Sequence, residues 1–301
     1  MTQLGELRDA YARFQEAGIK LYAISYDEAD ALTDFAQAND IPYPLLSDSD
    51  SAVIRRYGIL NSLVDESERP FYGMPYPGTY LINEDGVVTE KFFPRHLANR
   101  ESAETLLESS LGALLMGHDE PGSTGGEDDI RIAAYLHGGG GKLKSGIRRK
   151  VVVRFELANG LHIYGEPVPD GMVATSVTVR GPNGLVVEET IYPPTEPLTL
   201  AELGVELQVW SDTVDIVVPV WANSHLIDVI GPSGQSSIKI DVELRYQACN
   251  ERTCLIPRTE TLTIDVPIDT LDAPDFPGFG FESQKVTTMD SVKHFDKLLT
   301  R

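Results

Sequence analysis

One change in the spacing of apolar residues, close to residue 117, constrains this chain more than anything else in it. Before that point, helix-type spacing of three and four residues alternates with short apolar runs. After it, only alternating, strand-type runs remain. A period that suits a helix does not suit a strand, so the switch predicts two domains of different class. A length of 301 residues fits that division, because domains usually run to about 100–200 residues.

Residues 1–116 read as alternating helix and strand. Leu4, Leu7, Tyr11 and Phe14 form one apolar helical face, with Thr2 at the N-cap position and Gly18 closing the helix. Residues 19–25 follow as a strand, and residues 27–39 carry Ala31, Leu32, Phe35 and Ala36 on a second helical face. The polar run Ser47-Asp48-Ser49-Asp50 is a good start for a helix from Ala52 to Tyr57. Residues 79–83 and 87–93 flank Glu84-Asp85-Gly86 as a hairpin, and a last helix is expected over about residues 100–115. This grammar predicts helices packed around a mixed sheet.

Residues 117–129 combine several glycines with acidic residues and almost no apolar side chain, which predicts a flexible linker. Strands are then expected at residues 150–157, 161–164, 175–180, 214–220, 237–246 and 259–266, with Asn159-Gly160 and Asn183-Gly184 as turns. Successive alternating strands without helices predict a β-sandwich over residues 130–268. Residues 269–301 read as a tail, with a short amphipathic helix near residues 292–299.

Charge and composition exclude several functions. The formal net charge of −21 is spread over both large segments and would repel phosphate backbones, which argues against nucleic-acid binding. No apolar run reaches the roughly 18 residues of a membrane helix, so no membrane span is expected. The first residues lack the basic start and apolar core of a secretory leader. Gly138-Gly139-Gly140-Gly141-Lys142 lacks the ending of a phosphate loop and reads as a flexible segment entering the sandwich. His96 reads as a surface histidine, and His162 with Tyr164 as a packed or surface pair on one strand face. Neither cofactor nor metal is implied.

The two cysteines, Cys249 and Cys254, carry the remaining chemistry. A bridge over so short a loop would constrain the unfolded chain by only about 2 kcal/mol, which makes it a weak staple. Two thiols are too few for a structural zinc site, which normally needs four ligands. The polar residues between them suggest an exposed loop. A redox pair, a structural disulfide and two inert thiols all remain open at this level. Arg252 would stabilise a neighbouring thiolate, and Glu251 would cancel that effect.

The order of elements in the first segment, with Pro-Leu-Leu-Ser-Asp at 44–48, Tyr57-Gly58-Ile59 and Pro-Gly-Thr-Tyr-Leu-Ile-Asn-Glu-Asp-Gly at 77–86, resembles the AhpC/TSA redoxins of the thioredoxin fold. The resemblance implies that Pro77 precedes the third core strand, with Thr79 at that strand's start. It also implies a nucleophilic cysteine near the first long helix, yet residues 1–116 contain none. The implied fold would lack its first core strand, leaving apolar strands with unpaired edges. Residues 1–116 alone are therefore expected to be poorly soluble, and the natural protein is expected to start upstream of Met1, with a strand and a cysteine before Thr2.

The segment Tyr246-Gln247-Ala248-Cys249 through Cys254-Leu255-Ile256-Pro257, with Leu161-His162-Ile163-Tyr164-Gly165-Glu166-Pro167, resembles the N-terminal immunoglobulin-like domain of the thiol–disulfide interchange protein DsbD. That resemblance spans roughly residues 147–267. It implies a redox pair at Cys249 and Cys254, supported by Tyr246, Arg252 and Pro257, which exchanges electrons with a thiol/disulfide partner protein. The expected fold is an α/β thioredoxin-like domain plus an all-β immunoglobulin-like sandwich, and the expected function is thiol–disulfide oxidoreduction. A non-catalytic module that docks a redox partner is the alternative. Disulfide exchange suits an extracytoplasmic compartment, although these residues carry no export signal.

Overall fold

The computed structural model describes residues 2–269 apart from 63, 68–71, 95–98, 114, 116–121, 201–204, 224, 227–229, 231–233 and 251–252. The expected tail helix and His96 lie outside the described residues. Two compact units divide the chain between Leu115 and Met116, and the structure is mostly β-sheet.

In the first unit, α1 (Thr2–Asp9) and α2 (Tyr11–Glu16) replace the single helix expected there. Ala10 takes φ −92° and ψ 2° between them. Gly18 closes α2 at φ 72°, where an L side chain would be strained. Strand β1 (Ala23–Ser25) pairs in parallel with β2 (Leu45–Ser47), and α3 (Ala29–Ala38) lies between them in sequence. The start of α4 (Ala52–Arg56) follows the sequence expectation: the Asp48 carboxylate accepts from the Val53 and Ile54 amides at 3.1 and 2.8 Å. Those bonds hold its pKa below the ordinary carboxylate value although burial opposes them. The hairpin β3 (Thr79–Ile82) and β4 (Val88–Phe92) closes around Asn83, whose side-chain oxygen accepts from the Asp85 and Val87 amides. Helix α5 (Ala103–Leu111) starts at Ser102, which accepts from the Thr105 amide, and stops at Gly112. The pairs β1–β2 and β3–β4 are separate two-stranded sheets, and Tyr22, Ile24, Leu46 and Ile82 stand exposed.

The second unit is built from three sheets, antiparallel in every strand pairing but the parallel one of its last strand with the short strand Leu143–Lys144. Its strands are β5 (Gly122–Glu127), β6 (Ile130–His137), β7 (Leu143–Lys144), β8 (Arg149–Leu157) and β9 (His162–Tyr164). They continue with β10 (Ser176–Arg180), β11 (Leu185–Val187), β12 (Glu196–Leu200), β13 (Val205–Ser211) and β14 (Thr213–Ala222). The last three are β15 (Ser237–Tyr246), β16 (Ala248–Cys249) and β17 (Arg258–Asp269). One sheet runs β10-β15-β17-β7, a second β11-β14-β8-β6-β5 and a third β12-β13-β9-β16. Strict alternation on β15 turns Ile238, Ile240, Val242, Leu244 and Tyr246 inward. They join Val151, Val153 and Phe155 of β8, and Ile216 and Val218 of β14, in one continuous core. Such burial, at about 1.5–3 kcal/mol per large apolar side chain, is the main term holding this unit together.

Two sequence expectations fail here, both at glycines. Gly122–Glu127, expected within a flexible linker, is a strand paired along its length with β6. Glycine is required there by close approach: a Cβ on Gly126 would sit 1.9 Å from the Ile130 carbonyl oxygen, at φ 88°. The Gly126 amide also donates to the Glu260 carboxylate at 3.0 Å. Gly139–Gly141, expected as a flexible entry segment, is a tight turn against the buried Arg149 side chain, which donates to the Lys142 carbonyl. Glycine composition signals flexibility only when nothing crowds the missing side chain.

Gly126→Ala is therefore expected to destabilise the second unit by at least about 1 kcal/mol, through left-handed strain and the clash with Ile130. Thermal unfolding of the full chain measures this; an unchanged transition would mean that the segment is a linker after all.

Candidate functional site

Strand β15 delivers the site. It ends at Tyr246, and after Gln247 the chain crosses to the third sheet as β16. There Ala248 pairs with Ile163 and Cys249 with His162 on β9. On the other side of β9, Val209, Trp210 and Ser211 of β13 pair with Tyr164, Ile163 and His162. Alternation along β9 sends Ile163 into the main core and leaves His162 and Tyr164 on the opposite face, their rings 5.4 Å apart. Cys249 joins Tyr164, Leu207 and Val209 in a small apolar cluster, with Val168, Met172 and Leu198 packed against it.

Cys249 and Cys254 form a disulfide, with Cα atoms 4.1 Å apart. A short hairpin brings them together: the Leu255 amide donates to the Ala248 carbonyl at 2.8 Å, and the Asn250 amide to the Thr253 carbonyl at 3.0 Å. The Asn250 side chain adds a turn bond from the Thr253 amide at 2.8 Å. The two sulfurs differ sharply in environment, since Cys249 is fully buried and Cys254 is exposed. Just beyond lie exposed Leu255 and Ile256, the latter 85% accessible.

Polar groups fasten this hairpin to its surroundings. Gln247, itself buried, accepts from the Val173 amide at 2.9 Å and donates to the Leu255 carbonyl at 3.1 Å. One side chain thus ties the loop after β9 to the segment that carries Cys254. The Tyr164 hydroxyl lies 3.5 Å from the Cys254 sulfur. Burial raises the Tyr164 pKa above its ordinary value and lowers that of His162, so both side chains are neutral near neutral pH.

The structure treats the expected site residues unequally. Cys249 and Cys254 come together. Tyr246 points into the main core instead, stacked edge-on against Phe155 with its hydroxyl on Glu260 at 2.6 Å. Burial, and then that carboxylate, raise its pKa. Pro257 is exposed three residues past Cys254, at the entry to β17. Arg252 lies outside the described residues. Pro77 and Thr79 belong to the first unit, at the start of β3, where Thr79 pairs with Phe92. Sequence reasoning set Tyr164 aside and never singled out Gln247. The signal for Tyr164 was its place two residues from His162, on the strand that the cysteine segment joins.

Among the described residues, no group of three or more His, Cys, Asp or Glu side chains is placed to hold a metal ion. No described helix is long and apolar enough to cross a membrane.

Comparison with known proteins matches the two units separately. Residues 1–91 match the AhpC/TSA family, and residues 142–266 match the family "Thiol:disulfide interchange protein DsbD, N-terminal". A putative peroxiredoxin bcp of Coxiella burnetii is 35% identical over 86 residues, covering 27% of this chain and 53% of the relative. The chain thus spans about half the length of this curated relative. Among solved structures, the N-terminal periplasmic domain of ScsB from Proteus mirabilis aligns at TM-score 0.34 and 16% identity, covering 50% of this chain and 52% of that one. AhpC of Enterococcus faecalis aligns at TM-score 0.31 and 27% identity, covering 37% and 65%.

His162 gives the site a pH signature. Its folded-state pKa is depressed by burial, so below about pH 6.5 the unfolded chain takes up a proton that the folded unit resists. Stability should fall with acid through that range and level off once the folded pKa is passed. His162→Gln should flatten this part of the curve in denaturant melts across pH, whereas curves of identical shape would show that the imidazole is not held neutral.

Proposed function

We propose that this chain is a thiol–disulfide oxidoreductase whose working couple is Cys249–Cys254. The observation that carries the reading is the unequal burial of two bonded sulfurs, one sealed among apolar side chains and the other open to solvent. A staple gains nothing from exposing half of the bond. An exchange couple requires it, because an incoming thiolate must approach one sulfur in line with the bond that breaks.

Cys254 is then the sulfur that meets the partner. In the oxidised protein a partner thiolate attacks the Cys254 sulfur, a mixed disulfide forms, and Cys249 departs as a thiolate with the bonding pair. A second partner thiolate attacks the partner's own sulfur, and Cys254 departs as a thiolate. The partner dithiol ends as a disulfide and the couple has gained two electrons. Run backwards, the reduced couple delivers those electrons to another partner disulfide. Matches to two families of thiol redox proteins support the reading. A thiol/disulfide protein is the natural partner, because the exposed apolar pair Leu255 and Ile256 adjoins the reactive sulfur.

Within this division, residues 1–116 contribute no thiol, since both cysteines of the chain lie in the second unit. Peroxide reduction by a cysteine of the first unit is not part of the proposal.

Trapping tests the assignment of roles. Reduced Cys249→Ser, mixed with oxidised glutathione, should accumulate a stable adduct on Cys254. Cys254→Ser should acquire its adduct at least tenfold more slowly, because Cys249 is buried. The reverse order would exchange the roles. Absence of an adduct in both variants would remove the exchange function and favour a module that only docks a partner.

A further inference from the structure

A thiolate at Cys254 needs stabilisation, and among the described residues the usual sources are missing around it. Low-pKa cysteines generally sit at a helix N-terminus or beside a cation. Cys254 lies at the end of a hairpin in a β-sheet unit. The nearby imidazole of His162 is held neutral by burial. Arg258, at the head of β17, is ion-paired with Glu127. What does reach the sulfur is the Tyr164 hydroxyl, at 3.5 Å.

The setting strengthens that contact. Tyr164 is 1% exposed and packed among Leu207, Val209 and Cys249, where low polarity makes a hydrogen bond to a charged group count for more. Of the titratable groups on the elements packed against it, His162 shares its strand face. Glu196 stands at the far edge, in register with Val209, which itself pairs with Tyr164. Two strand spacings of about 4.8 Å separate Glu196 from Tyr164, and its side chain is exposed. Glu206 alternates to the other face of β13, and Glu166 and Asp170 are exposed on the loop after β9. Glu251 and Arg252 lie outside the described residues.

We propose that the Tyr164 hydroxyl donates to the Cys254 thiolate when the disulfide opens, which makes Tyr164 a catalytic residue of the exchange. The inference rests on the thiol–disulfide reading above. In the step that releases the partner, the bond between Cys254 and the partner sulfur breaks, both bonding electrons stay on Cys254, and Tyr164 keeps its proton while turning it toward that sulfur. The partner sulfur meanwhile forms its bond with the second partner thiolate, whose negative charge passes to Cys254. Because burial also raises the phenol's own pKa, Tyr164 remains a donor throughout the range in which a thiol titrates.

Tyr164→Phe removes the hydroxyl and keeps the ring. In the reduced full chain, iodoacetamide labelling of Cys254 across pH, separated from Cys249 by mass spectrometry, reads the thiol pKa. It should rise by about one unit, the size expected when one hydrogen bond to a charged group is lost. Nucleophilicity rises with thiol pKa with a Brønsted slope of about 0.4–0.5, so the variant should react roughly threefold slower below both pKa values and roughly threefold faster above them. A merely structural role would not produce that crossover. Should the variant fold poorly, the wild type supplies a second readout. The tyrosine difference spectrum should titrate together with thiolate absorbance, and should lose that transition in Cys254→Ser. An unshifted labelling profile, or a tyrosine spectrum indifferent to thiolate formation, overturns the assignment. If the wild type exchanges with no disulfide although the shift is present, the oxidoreductase reading falls and the catalytic role with it, leaving only the hydrogen bond.

Discussion

Pairing of Cys249 with His162 across β16 and β9 is the contact on which the proposed chemistry of this chain depends. It places one sulfur in the apolar cluster with Tyr164, Leu207 and Val209, while the bonds from Asn250 to Thr253 and from Leu255 to Ala248 bring the second sulfur beside the first but outside the cluster. Gln247 secures that exit from both sides by bonding Val173 and Leu255. A loop of this length lowers the entropy of the unfolded chain by only about 2 kcal/mol when closed. Burial of the large apolar core contributes far more, so the bond can open without endangering the fold. Asymmetric exposure and modest structural weight are the two properties that an exchange couple needs together.

The sheets of the second unit provide the precision. Ten-residue β15 is registered against β17 from Ser237–Pro267 to Tyr246–Arg258. Its terminal residue, Tyr246, is anchored by Phe155 in the core and by the Glu260 carboxylate. The same Glu260 accepts from the Gly126 amide on the edge strand β5. One carboxylate therefore links the first strand of the unit to the strand that delivers the cysteines. Tyr246 acts at one remove, by fixing where β15 ends and the crossover to β16 begins.

Much of this architecture was legible in the sequence where local chemistry and tertiary packing agree. The alternation in residues 237–246 is strict, and the strand has the expected limits. The polar run around Asp48 does cap α4, and the β3–β4 hairpin forms around the expected Glu84-Asp85-Gly86 turn, with Asn83 as its unexpected hydrogen-bonding side chain. Expectation failed where a residue's role is set by distant neighbours. Gly125 and Gly126 read as linker because their crowding by Glu260 and Ile130 is invisible in a linear pattern. Strands β12 and β13 were missed, and so was β6, although Ile130, Ile132, Ala134 and Leu136 alternate toward the core. At the site, spacing alone could nominate the two cysteines but could not say which was buried. Nor could it show that Tyr164, some ninety positions earlier, reaches Cys254.

The central claim is that Cys249–Cys254 is a reversible couple that works within a folded protein. Equilibrating the full chain in glutathione buffers of graded potential, from both the oxidised and the reduced side, and counting alkylated Cys254 tests it most directly. The expected result is a single two-electron transition, coincident from both directions, with circular dichroism unchanged across it. A bond that resists the whole range, or opens only as the second unit unfolds, would contradict the account and make the disulfide a staple.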